Sequence, residues 1–410
     1  MPEDEPAAPA SAGGDIGVVL AGGGARGAYE AGMLATLLPE LDAWGQRPTM
    51  FTGTSAGALN AVLFASRAHL PARRAADEVI AAWQGVTKDQ VYRPLLLTAL
   101  PMLLRQCLTR VVNPSSSPLA GLLDTSPLRA TLRTKVDWDQ LHANTASGAV
   151  QGVAVATTAC GSGRTEIFAE GPAAARLPDS DTDRAVDYTR TVLDVDHVMA
   201  SAAIPVAFPP VRVGPSGCWY MDGGVRLNAP IKPTISLGAR RVVIVATTPL
   251  RDLPRLVDCG NEAAPSVQDV VAQIVTGLMG DRMVEDTRTL GKVDELLESG
   301  AERISPRGRP YTVVEYLFGG PPPGQGDQLG EKAEYVLDTC FRGIRRLTNP
   351  DLMFLAALLG PGRSRGELLS YLFFEPEFTS EAINLGVRDA RIILDEAGDD
   401  PGKLWRTDSA

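Results

Sequence analysis

Two glycine-bounded turns near the start of the chain constrain its fold more than any other feature. The apolar run Ile16-Gly17-Val18-Val19-Leu20-Ala21 has the composition of a buried strand and stops at Gly22-Gly23-Gly24-Ala25-Arg26-Gly27. A segment from Ala28 to about Leu41 follows, apolar on most faces, and reads as a largely buried helix. Pro48-Thr49-Met50-Phe51 opens a second strand, which ends in Gly53-Thr54-Ser55-Ala56-Gly57 before the helix-like Ala58–Phe64. Strand, glycine loop, helix, strand, sharp turn, helix is the opening of an α/β fold on a parallel sheet. Both turns fall at the carboxyl ends of strands, where such sheets place their sites.

The second turn matches G-x-S-x-G, the pattern of a nucleophile elbow. Such a turn lifts the serine hydroxyl, here that of Ser55, clear of the sheet. Its strained backbone costs roughly 1–3 kcal/mol, which packing must hold. Gly53 and Gly57 let neighbouring backbone pass without a Cβ clash. The first turn, Gly22-x-Gly24-x-x-Gly27, has three readings. A dinucleotide fingerprint expects an acidic residue ending the second strand, where this chain has Gly53-Thr54-Ser55; a P-loop lacks its Gly-Lys-Ser/Thr. An oxyanion hole is the better reading, with the unshielded backbone amides of Gly23 and Gly24 stabilising a developing negative charge. A structural turn is the third. Arg26 fits equally as a loop anchor, a contact to a substrate phosphate, or a solvated charge.

A serine nucleophile needs a base. The chain has three histidines: His69 in a turn, His142 in a polar stretch and His197 at a helix start behind Asp194. Asp222 is the stronger candidate, because Tyr220-Met221-Asp222-Gly223-Gly224 ends a strand in a tight turn that presents the carboxylate. An ordinary aspartate, with a pKa of about 3.9, is a poor base. Held against the hydroxyl in a dry site, it can still take the proton.

Elsewhere the chain is less specific. Residues 1–14 read as a disordered leader, without the basic and apolar regions of a secretory signal. Arg67 to about Trp83 reads as a surface helix. Residues 85–125 include a very apolar stretch around Leu95–Leu104, broken by Pro101 and too short to span a bilayer; it reads as a buried helix pair first, and otherwise as a cap beside the site that meets lipid chains. Val150–Thr158 and Arg241–Thr248 read as strands, Ala169–Tyr188 as an excursion, and the small-residue run His197–Pro205 as a tightly packing helix. Helical spacing dominates from 251 to about 400, as in Ala333, Val336, Leu337, Cys340 and again in Ile383, Val387, Ala390, Leu394. The net charge of −10 argues against nucleic acid as a partner. Five scattered cysteines without C-x-x-C point to a reducing, cytoplasmic location with any membrane contact peripheral.

Taken together, Gly22–Gly27, Gly53–Gly57, Ala200-Ser201-Ala202-Ala203-Ile204-Pro205 with Phe208-Pro209-Pro210, and Asp222-Gly223-Gly224 resemble the ordered blocks of the patatin-like phospholipase family. The resemblance covers about Ile16 to Pro230. It implies a three-layer α/β/α domain with a mainly parallel sheet, placed over 15–250; the helical C-terminal region predicted from spacing lies outside the blocks that carry the resemblance. It also implies hydrolysis of phospholipid or other acyl-ester lipids without cofactor or metal. By the same resemblance Ser55 is the nucleophile, Asp222 the base and Gly22–Gly24 the oxyanion hole, with Arg26, Gly27, Gly53, Gly57, Gly223 and Gly224 supporting these motifs. The competing expectations are a catalytically silent lipid-binding or adaptor protein with the same fold, and a nucleotide-binding module built on the glycine loop.

Overall fold

The computed structural model describes residues 16–93, 121, 123–181, 184–214, 217–250, 282–298, 312–325, 327–342 and 365–407, with positions 270, 277 and 345. The leader and most of the candidate cap, residues 94–120, lie outside the described residues.

A mixed sheet organises the molecule. Its parallel part runs in the order β10 (Glu315–Gly319), β9 (Arg241–Val245), β1 (Ile16–Leu20), β2 (Met50–Thr54) and β3 (Gly152–Ala159). Beyond β3 lie β4 (Thr165–Glu170), antiparallel to it, then β6 (Val186–Arg190) and the short β5 (Ser180–Asp181). The stretch Ala169–Tyr188, expected to leave the core, instead contributes to this edge of the sheet. Ala169, Val186 and Tyr188 are buried there, with Ile167 just before them, and so are two carboxylates that find partners: Glu170 meets His142 and Thr145, and Asp181 pairs with Lys232.

The central strands are buried on both faces, so they read as continuous apolar runs. Alternation still assigns each side chain to a layer. Val18, Leu20, Phe51, Val155 and Val243 belong to one core, together with α1 (Gly27–Ala43), α2 (Ala56–Ser66) and α3 (Ala72–Gln84). Val19, Met50, Ala154, Val242 and Ile244 belong to the other, with the helix Ile231–Leu237 and Met283 and Val284 of the helix Arg282–Glu298. Helix, sheet and helix thus form three layers.

Helix α3 is less of a surface element than its charges indicate. Its alanines at 72, 75, 76 and 82, with Val79 and Trp83, are buried, and only the opposite face is polar. The C-terminal helices include Gln328–Cys340, Arg365–Leu372 and the long Pro376–Ala397. The long helix packs on α1, where the Tyr29 hydroxyl donates to Asp389 Oδ2 at 2.9 Å.

Candidate active site

Strand register brings the expected nucleophile and base to one place. Strand β2 pairs with β3 from Met50↔Gly152 to Thr54↔Ala156, then turns away. The opposite edge of β3 is occupied by β4 as far as Thr158. Strand β8 (Cys218–Asp222) therefore takes over the vacated edge, running antiparallel with Asp222↔Thr157. Ser55 follows the last paired residue of β2, and Asp222 ends β8, so the two chain ends converge on a single step of β3.

The elbow is held by backbone contact and by one buried hydroxyl. Ser55 has φ 55° and ψ −121°, a conformation rare for a residue with a side chain. A Cβ on Gly53 would lie 2.1 Å from the Gly57 carbonyl oxygen, so only glycine lets the turn close. The Ser55 amide donates to Ser201 Oγ at 2.8 Å, and the Ser201 hydroxyl donates in turn to the Ala156 carbonyl at 2.6 Å. Two residues on, the Ala203 carbonyl accepts from the Asp222 amide at 2.9 Å. One short segment therefore fixes the backbone of both residues. Sequence reasoning missed Ser201; the available signal was one hydroxyl inside a run of otherwise small apolar residues.

Asp222 is fully buried. Its Oδ1 accepts from the Gly224 amide at 2.7 Å, within the tight turn that Gly223 and Gly224 form. Its Oδ2 has no hydrogen-bond partner of normal geometry among the described residues. Burial pushes the carboxyl up to about 6, against the downward pull of the nearby Ser55 hydroxyl and the Gly224 amide. A buried carboxylate oxygen without a hydrogen-bond partner, close to a serine hydroxyl, is an arrangement that a general base can use, and such contacts often tighten only when substrate binds.

The amides of the glycine loop differ in their hydrogen bonding. The Gly22 amide donates to Asn228, to its carbonyl at 3.1 Å and to Oδ1 at 3.0 Å, so it is not available to an oxyanion. Against expectation, Gly22 is a contact residue; a Cβ there would lie 3.3 Å from Ser55 Cβ, which places the loop beside the elbow. Asn228 carried no sequence signal beyond its position shortly after the Asp-Gly-Gly turn. The amides of Gly23 and Gly24 donate to no protein acceptor among the described residues. Gly27 begins α1 against Ala56 of the elbow helix. Arg26 is not a solvated charge: its side chain is 1% exposed and turned away from the cavity into the C-terminal helices.

The histidines are engaged elsewhere. His197 Nδ1 pairs with Asp194 Oδ1 at 2.7 Å in a capping box, and its ring packs edge-on against Phe168. His142 Nδ1 meets Glu170 Oε1 at 2.9 Å, and His69 is exposed. Beside Ser55 lies an apolar cavity of about 40 Å³, whose walls include Leu59, Trp83, Leu132, Phe208 and Phe374. Two residues after the lining residue Ile204, Val206 is 76% exposed, with φ 71°. No described helix is long and apolar enough to cross a membrane, and no cluster of three potential metal ligands occurs among the described residues.

The family model described as patatin-like phospholipase matches residues 18–235. The chain belongs to the patatin-like phospholipase family. The match takes in Ser55, Asp222, Ser201, Asn228 and the glycine loop of this patatin-like protein and stops before its C-terminal helices. Two solved structures are similar at low identity. VipD from Legionella pneumophila is 13% identical with a TM-score of 0.31, covering 92% of this chain and 85% of that one. Human GIVD cytosolic phospholipase A2, in complex with methyl gamma-linolenyl fluorophosphonate, is 11% identical with a TM-score of 0.33, covering 92% of this chain and 60% of that one. No curated protein matches the sequence.

Proposed function

We propose that this patatin-like protein hydrolyses fatty acyl esters of lipids, in the manner of a phospholipase A or lysophospholipase, through a Ser55–Asp222 dyad. The observation that carries the reading is the unpartnered Oδ2 of buried Asp222 beside the strained Ser55. Ser55 Oγ attacks the ester carbonyl carbon while its proton passes to Asp222. The oxyanion that forms is met by the Gly23 and Gly24 amides. Collapse expels the alcohol, which takes the proton back from Asp222 and leaves an acyl-enzyme. Water, deprotonated by the same carboxylate, then releases the fatty acid.

The apolar cavity accounts for the acyl preference. An aliphatic chain there removes apolar surface from water at roughly 25 cal/mol per Å². At about 40 Å³ the cavity holds little more than one water molecule, so a long chain enters only as wall side chains part. The substrate is thus an acyl-ester lipid met at a membrane or micelle surface, with peripheral contact and a cytoplasmic setting as part of the same proposal.

Turnover of short-chain nitrophenyl esters and of lysophospholipid by purified wild type, lost in Ser55→Ala, tests the reading. A well-folded wild type that cleaves neither substrate would favour a silent lipid-binding protein.

A further inference from the structure

Arg26 closes the glycine loop, and its guanidinium is held entirely by residues from the far end of the chain. Nε donates to Ser370 Oγ at 2.6 Å, and one Nη donates to Asp327 Oδ2 at 2.8 Å and to the Glu367 carbonyl at 3.3 Å. The Arg26 guanidinium carbon lies 4.4 Å from the centroid of the Tyr371 ring. The Tyr371 carbonyl also touches the loop itself. Gly24, at φ +56°, sits so close that a Cβ would be 2.1 Å from that oxygen. The same C-terminal segment continues into the cavity wall, where Phe374 is a lining residue and the Leu372 carbonyl accepts from the Tyr92 hydroxyl at 3.3 Å. Glu375 then pairs with Lys88 at 3.2 Å.

These partners all lie beyond residue 235, outside the part of the chain that carries the family motifs. We propose that the segment 365–375, together with Asp327, is a clamp that sets the oxyanion loop, and that Arg26 is a positioning residue acting through Gly23 and Gly24. The proposal rests on the acyl-transfer reading of the site. Its physical basis is the mismatch between loop and task. Consecutive glycines have the greatest backbone freedom of any residues. Oxyanion donors must nevertheless stay within a few tenths of an ångström of their working position. A planar guanidinium with several fixed donors supplies that rigidity from the side opposite the substrate, and a lysine in its place has no equivalent fork. By the same geometry Arg26 is already occupied and does not bind a substrate phosphate.

The test uses the full chain and a neutral short-chain nitrophenyl ester, with the acylation burst counting active sites. Asp327→Asn and Arg26→Lys are expected to lower the per-site rate about 10- to 100-fold, with KM within about twofold and an unchanged burst amplitude. Asp327→Glu, which keeps the carboxylate at a partly exposed position, is expected to recover most of the rate. Amide hydrogen exchange over residues 21–27 should quicken in Asp327→Asn and not in Asp327→Glu. This measurement also carries the test should Arg26→Lys fail to fold. Full per-site rates in the folded variants, or a loss confined to burst amplitude, would overturn the clamp. A wild type without esterase turnover would instead overturn the acyl-transfer reading beneath it.

Discussion

Two aspartates in this molecule carry opposite environments, and the difference shows where chemistry is to be sought. Asp194 has its side chain largely exposed and caps a helix. It accepts from the Asp196 and His197 amides and lies 2.7 Å from the His197 ring Nδ1, and that contact to the ring holds its pKa below the usual carboxylate range. Asp222 is buried, bonded on one oxygen only and pushed up to about 6. The pair that looks like part of a triad on paper, Asp with His, is closed on itself. The aspartate with no histidine is the one left with an open oxygen beside a serine. Glu30 marks the limit of the comparison. It too is buried, with Oε1 unpartnered and its pKa raised by burial, but the group it meets is the Asn60 amide, not a nucleophile. An unsatisfied carboxylate becomes a base only where a proton donor faces it.

The sharpest break of the comparison is at the serine: Ser55→Ala should reduce ester hydrolysis by about 10⁴-fold or more, measured as kcat at saturating substrate. Asp222→Asn should follow at about 10³- to 10⁴-fold. The same substitution should stabilise the fold. Because the folded pKa lies above the ordinary aspartate value of 3.8, the native state binds more protons than the unfolded chain between about pH 4 and pH 6. Wild-type stability therefore falls as pH rises through that window, by up to about 3 kcal/mol. Thermal melts should show Asp222→Asn above wild type at pH 7.5, with the gap closing near pH 4. Smaller is Ser201→Ala, which removes the acceptor of the Ser55 amide; it should lower kcat about 10- to 100-fold by loosening the elbow, with Ser201→Thr retaining more activity. Smallest is His197→Ala: loss of the ring from the capping box should lower stability by about 1 kcal/mol and leave kcat within about threefold. A histidine variant as inactive as Ser55→Ala would erase the distinction between the two aspartates.

Much of the fold was legible because it is local. The strand–loop–helix–strand–elbow–helix order is written in apolar runs and glycines, and the structure forms it over Ile16–Ser66. The edge strands β4 to β6 and the late strand β10 were not legible. Glu315-Tyr316-Leu317-Phe318-Gly319 is five residues long, and what makes it a strand is the open edge of β9, which no local pattern announces. At the site, residues within glycine-rich turns were identifiable from sequence. Ser201, Asn228 and the surroundings of Arg26 were not, because each acts through a contact between distant segments. Asn228 bonds a residue 206 positions away, and Arg26 one 344 away. A single hydroxyl or amide in a sequence does not say which backbone group it will meet.

The pH dependence of Ser55 phosphonylation tests the central claim most directly. Wild type would be treated with an alkyl fluorophosphonate, a neutral serine-directed reagent, and the adduct followed by intact and peptide mass. A single adduct on Ser55 is expected, forming at a rate that rises about tenfold per pH unit and levels off above about pH 6, with Asp222→Asn labelled at least a hundredfold more slowly and His197→Ala labelled as fast as wild type. Labelling at another residue, or a Ser55 rate indifferent to the loss of Asp222, would contradict the dyad.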